Sequence, residues 1–364
     1  MTKKERVLRT IARQHIDYLP SNVYFASPET KRALQKAFSM ISADELDGFL
    51  ENHLQITSTM DDIFRYRGDH NFLREAEKTI FAKVDWQKGQ LYDRWGVAYD
   101  INTDGICVVN HPLKGASDEE IMHYQAPDPD VPGNFSMVEN DLKKYSQEYL
   151  VIMSGHCGIF ERAWFLMGYE DLLMGLASGS KSVSVLLAKI LDYKLAVARK
   201  TVDMGFEVGH TSDDIGGQSG LMFSREMWRS NFRPLYTRLW RVFKDARLPM
   251  IHHSCGNVTD MLGDFIDLGL DVIEPVQNVM DFPRLKKDFG KRLTFWGGVG
   301  TQAILPFGTP QDVRRHTREV IECLGRGGGL IISPDQEIMA DVPSENIVAY
   351  VETVRENRQK VLED

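Results

Sequence analysis

The chain has 364 residues, 43% of them hydrophobic and 26% charged, with a net charge of −9. A chain of this size buries a large core without disulfides or a structural metal, and its acidic balance, with no dense Lys/Arg stripe, argues against nucleic acid or an anionic membrane as the main partner. No apolar run follows Met1-Thr2-Lys3-Lys4-Glu5-Arg6 and none later reaches a membrane span, so the sequence reads as cytoplasmic, with Cys107, Cys157, Cys255 and Cys323 as reduced thiols.

Val7, Leu8 and Ile11 recur at helical spacing and predict a helix over 4–14. A first strand is expected near 22–25, then helices at 28–39 and 43–53, the second opened by the capping box Ser42-x-x-Glu45. Residues 54–135 are the least regular part. Segments 91–100 and 106–110 flank Asn102-Thr103-Asp104-Gly105, a hairpin signal, and predict a β-hairpin flap inserted into the domain. Ser117-x-x-Glu120 caps a short helix there, and 126–133 reads as a loop.

From residue 136 the rhythm becomes strand, loop, helix. Strands are expected at 149–153, 206–211, 248–253, 271–274, 293–296 and 330–333. Helices are expected at 137–146, 160–176, 181–204, 224–246, 258–268, 281–289, from Thr309-Pro310 to the glycines 325–329, and at 344–361. Short apolar strands, each leading into a polar or Gly-bearing loop, predict a parallel sheet covered by helices. Their number and the length predict an α/β fold, a (β/α)8 TIM barrel with an N-terminal helical extension, with 1–364 as a single domain and 54–135 as its insertion. The phosphate-binding and hydrolase fingerprints G-x-G-x-x-G after a strand, G-x-x-x-x-G-K-[ST] and G-x-S-x-G are absent.

In such barrels the site gathers at the C-terminal ends of the strands. Those ends carry His156, Cys157, Glu161 and Arg162; Asp213 and Asp214; His253 and Cys255; Glu274 and Gln277; and Asp335, Gln336 and Glu337. His253 and Cys255 are two apart, so on a strand they leave the same face, and both are ligands for zinc. By spacing alone H-x-C is half a zinc site, and a buried cysteine beside a hydrogen-bonded histidine is its commoner cause. Asn257 is read as the cap of the next helix, whose N-terminus would favour a Cys255 thiolate. Asp213 and Asp214 point oppositely on an extended backbone, and Asp214 is taken as the one facing the pocket. Asp214, Glu274, Gln277 and Glu161 are the catalytic candidates. The arginines of 224–246 read as a mostly solvated face.

Lys4-Glu5-Arg6-Val7, His252-His253-Ser254-Cys255-Gly256, Leu268-Gly269-x-Asp271-Val272-Ile273-Glu274-Pro275-Val276-Gln277, Trp296-Gly297-Gly298-Val299 and Val342-Pro343-x-Glu345-Asn346 together resemble the uroporphyrinogen decarboxylase superfamily, on its corrinoid-dependent methyltransferase side. Two departures matter. The decarboxylases carry R-Q-A-G-R soon after the first strand, where this chain reads Asn22-Val23-Tyr24-Phe25-Ala26-Ser27-Pro28, so an anchor for porphyrinogen carboxylates is missing. The zinc-dependent methyltransferases add a distant cysteine to H-x-C, whereas Ser333-Pro334-Asp335-Gln336-Glu337 has none. The resemblance then implies that a carboxylate completes a zinc site with His253 and Cys255, Glu337 being placed first and Asp335, Asp214 and Glu161 behind it. It implies methyl transfer between a corrinoid and a small thiol, methyl ether or methylamine. The corrinoid would arrive on a separate corrinoid protein that docks against the 54–135 flap and the 213–220 loop. The alternative is a cofactor-free decarboxylase of a porphyrinogen or another acid, which a basic pocket lined by Arg162 and Arg225 would favour. A homodimer is compatible with either.

Overall fold

A computed structural model describes residues 1–26, 28–39, 42–62, 70–103, 105–155 and 157–363. Ser27, Asp104 of the hairpin signal and His156 of the strand-end set lie outside the described residues. The strands are β1 (Leu54–Thr57), β2 (Lys83–Asp85), β3 (Gln90–Tyr92), β4 (Ala98–Asp100), β5 (Val108–Asn110), β6 (Leu150–Met153), β7 (Gly209–Ser212), β8 (Met250–His253), β9 (Val272–Val276), β10 (Thr294–Val299) and β11 (Leu330–Pro334).

Strands β7 to β11 form one parallel sheet in chain order, β1 pairs in parallel with β6, and β2 to β5 make an antiparallel sheet. Ser21 and Phe25 bridge Ile332 and Ile338, while His53 N donates to Ser21 O, so the 21–25 segment lies between β11 and β1. The strand order is compatible with the expected ring. No hydrogen-bonded ladder joins β6 to β7 among the described residues; at that seam Gly155 N donates to the side chain of His210 at 3.0 Å.

Every residue of β6, β9, β10 and β11 is buried, as parallel strands covered on both faces require. Leu54, Ile152, Ile251, Val272, Trp296 and Ile331, drawn from six strands, meet in one cluster with Val208 just before β7 and with Val7 and Ile11. The last two belong to helix Lys3–Ile11, which sits at the strand starts: Lys4 N donates to Glu148 O, and Thr294 donates to Thr10 O. Each fully buried aliphatic side chain there contributes roughly 1.5–3 kcal/mol.

Both capping boxes form, at Ser42/Glu45 and Ser117/Glu120. Several elements divide where one was expected. Gly168, at φ 85°, breaks 160–176 into Ile159–Met167 and Tyr169–Ser178. Pro234 opens a new helix after Phe232, splitting 224–246 into Arg225–Asn231 and Arg233–Asp245. Segment 91–100 folds back on itself because the Asp93 carboxylate accepts the Val97 N–H in a tight turn. No single helix among the described residues is long and apolar enough to cross a membrane.

Candidate metal centre

The C-terminal ends of β7 and β8 lie side by side, with Ser212 opposite His253. Residues 215–222 turn back through a Gly216–Leu221 bridge and lie on the segment after β8, where Asn257 N donates to Gly217 O at 2.9 Å. Gly256 adopts φ 81°, and a Cβ there would stand 2.4 Å from the Gly216 carbonyl carbon, so only glycine allows this approach. The crossing holds Asp214 against Cys255, whose N–H donates to Asp214 Oδ1 at 2.8 Å.

One ligand atom each from Asp214, His253 and Cys255 lies within 4.8 Å of the others. His253 Nε2 is 3.4 Å from Cys255 Sγ and 3.5 Å from Asp214 Oδ1. Zinc at its usual bond lengths spans tetrahedral edges of roughly 3.6 Å between N and S and roughly 3.4 Å between N and O, so the donor set fits that ion. The outer contacts orient it. His253 Nδ1 donates to Glu274 Oε2 at 2.5 Å, leaving Nε2 to face the cluster, and Tyr24 donates to Glu274 Oε1 at 3.0 Å. Gln336 Nε2 donates to Cys255 Sγ at 2.7 Å. Gln277 stands one layer behind, accepting the Gly256 N–H at 2.6 Å.

Burial alone would lower the pKa of His253, but Glu274, Cys255 and Asp214 outweigh it and hold the metal-free ring protonated well above its usual range. Burial pushes Asp214 up, and the hydrogen bond and charge of His253 with the Cys255 N–H more than offset this, so its carboxyl stays below the ordinary value. In the metal-free site the Cys255 thiolate is not favoured: burial, with the Asp214 charge, pushes the thiol up to about 11, outweighing His253, and a 3-10 turn at Thr259–Met261 precedes the α-helix Leu262–Leu268. A metal would reverse this, since coordination deprotonates a thiol.

Glu161 lies in the first turn of helix Ile159–Met167, accepting from Gly158 N at 3.2 Å and Ser212 Oγ at 3.5 Å. Burial, then the charges of Asp214 and Asp213, push its carboxyl up to about 8. Asp213 turns the other way from Asp214. It accepts from Phe160 N, Glu161 N and Tyr236 OH at 2.9, 2.8 and 2.6 Å, and so fixes that helix to β7.

A cavity of about 390 Å³ opens beside the cluster, and Glu161, Asp214, His253, Glu274 and Glu337 all line it. Glu337, placed first as the completing ligand, lies on this wall but outside the three-donor set, where Asp214 supplies the oxygen. Asp335 is turned to Thr301, accepting from its N and Oγ1 at 2.8 and 2.7 Å. The two arginines named for a basic pocket are elsewhere. Arg162 donates to Asp93 at 2.6 Å and Tyr99 at 3.2 Å, beside a separate cavity of about 60 Å³. Arg225 joins Arg229 and Arg233 on the fully buried Asp264, so three arginines read as a solvated face share one carboxylate. Tyr24 and Gln336 received no role from sequence; Gln336 stood in the strand-end set, and Tyr24 was only the place where arginines were missing.

Residues 91–357 match the family model described as uroporphyrinogen decarboxylase. A methylated-thiol–coenzyme M methyltransferase of Methanosarcina mazei is 22% identical over 356 residues, 98% of this chain and 90% of the relative. The solved structure of a methyltransferase from Methanosarcina mazei superposes with a TM-score of 0.69 at 15% identity, covering 98% of this chain and 99% of the other, a likeness of fold. With its family match spanning most of the chain, the protein belongs to the uroporphyrinogen decarboxylase family.

Proposed function

We propose that this chain is a methyltransferase, built on a (β/α)8 barrel, that moves a methyl group between a corrinoid carried by a separate corrinoid protein and a small thiol, methyl ether or methylamine. The observation that carries this reading is the meeting of Asp214, His253 and Cys255, oriented by Glu274, beside the cavity that Asp214, His253 and Glu274 line. The Methanosarcina mazei relative, named for methylated thiols and coenzyme M, supports the reaction class. Asp214, His253 and Cys255 would hold zinc, which when bound supplies the Lewis acidity that activates a thiol or polarises a methyl-bearing heteroatom. An oxygen ligand in place of a second sulfur leaves such an ion more electrophilic.

The chain's own groups have distinct tasks. Glu274 keeps the His253 proton on Nδ1, and Gln336 supplies a donor to a Cys255 thiolate. Glu161, whose carboxyl is pushed up in the metal-free site by burial and by the charges of Asp214 and Asp213, would hold a proton at the cavity wall for a heteroatom that loses its methyl group. Phe25 and Trp296 line the same space. The surface around 213–220 is the proposed docking place of the corrinoid protein. The decarboxylase alternative loses ground because Arg162 and Arg225 are committed to Asp93 and Asp264.

The test is the metal content of wild type and Cys255→Ser purified without chelator, with methyl transfer assayed from methylcobalamin to thiols and from methyl ethers and methylamines to cob(I)alamin. About one equivalent of zinc, lost with turnover in the variant, is expected. Absence of both metal and methyl transfer in wild type would refute the reading.

A further inference from the structure

Among the described residues lining the cavity there is no lysine or arginine, while Glu161, Asp214, Glu274 and Glu337 bring four carboxyl groups. His210 accepts the Gly155 N–H at Nδ1. His253 is enclosed by Glu274 and Asp214. A divalent ion on the cluster would be balanced by Asp214 and a Cys255 thiolate, so metal does not make the wall positive. Tyr24, Phe25, Trp296 and three isoleucines form the rest of the apolar lining.

Resting on the methyltransferase reading, we propose that this cavity selects a small methyl-bearing substrate without negative charge, neutral or cationic, and rejects carboxylates, sulfonates and phosphates. An anionic head group entering it would lose hydration with no lysine or arginine among the described lining residues to replace it. A protonated amine would gain the carboxylates and the aromatic faces. The volume of about 390 Å³ suits a substrate of modest size.

Three probes share one methylthiopropyl chain and differ in charge: 3-(methylthio)propylamine, 3-(methylthio)propan-1-ol and 3-(methylthio)propanoate. Their affinities for the full-length, zinc-loaded protein are read by calorimetry, and methyl transfer to cob(I)alamin is followed in parallel. The amine and alcohol are expected to bind at least about tenfold more tightly than the carboxylate, about 1.4 kcal/mol. Glu337→Gln should narrow the ratio of amine to carboxylate. A carboxylate that binds as tightly as the amine overturns the proposal, as does failure of all three to bind at millimolar concentration. The expected order without methyl transfer sinks the methyltransferase reading and leaves the charge selection standing; transfer with the carboxylate preferred does the reverse.

Discussion

Glu274→Gln isolates one charge. Glutamine keeps the shape of the side chain and an oxygen that accepts the His253 Nδ1 proton. Only the negative charge is lost, from a buried contact of 2.5 Å. A hydrogen bond to a charged group is worth roughly 1.5–3 kcal/mol and a neutral one roughly 0.5–1.5, so the substitution removes about 1–1.5 kcal/mol of support for Nε2 as a ligand. That is about a tenfold loss of zinc affinity, at the lower edge of the roughly 10–100-fold seen for such outer partners. Competition with a chromophoric chelator at neutral pH measures it. Tyr24→Phe removes only the hydroxyl at 3.0 Å from the other Glu274 oxygen, and should cost less than about threefold. In metal-free protein the same Gln variant should bring the His253 titration down, because the Glu274 charge is the largest cause holding it up. Unchanged zinc affinity in a folded Glu274→Gln protein would refute the reasoning, since Nδ1 would then have no hold on Nε2.

Glu161 gives a pH dependence with a definite sign. Its carboxyl is raised from the ordinary 4.5 to about 8, so the native state binds the proton more tightly than the unfolded chain, and stability falls as pH rises through that window. Glu161→Gln should flatten the fall in urea midpoint from about pH 4.5 to about pH 8; an identical profile would exclude Glu161 as its source. Gly256→Ala forces a side chain into φ 81° and against Gly216, costing roughly 1–3 kcal/mol and loosening the crossing that aligns Asp214 with Cys255. Thermal unfolding should shift down and zinc affinity should fall together, and retention of both would show that the crossing does not align the ligands.

The α/β alternation, both capping boxes and most strand positions were legible in the sequence because they depend on local spacing: apolar runs bounded by glycines, and Ser-x-x-Glu pairs read within one turn. His253 and Cys255 were legible for the same reason, as two side chains on one strand face. Element breaks were less so. Gly168 and Pro234 sit inside continuous apolar periodicity, and only the packed backbone shows that each helix ends there. The third donor of the cluster, its oxygen, was decided by tertiary structure. Asp214 lies 41 positions from Cys255 and meets it because β7 and β8 are neighbours and Gly256 admits the 215–222 turn. The residues 333–337 that sequence order offered instead divide their tasks, Asp335 on Thr301, Gln336 on Cys255 and Glu337 on the cavity wall. Spacing along a strand determines which side chains share a face, whereas which carboxylate reaches that face from another strand depends on the pairing of strands and the packing of the loops above them.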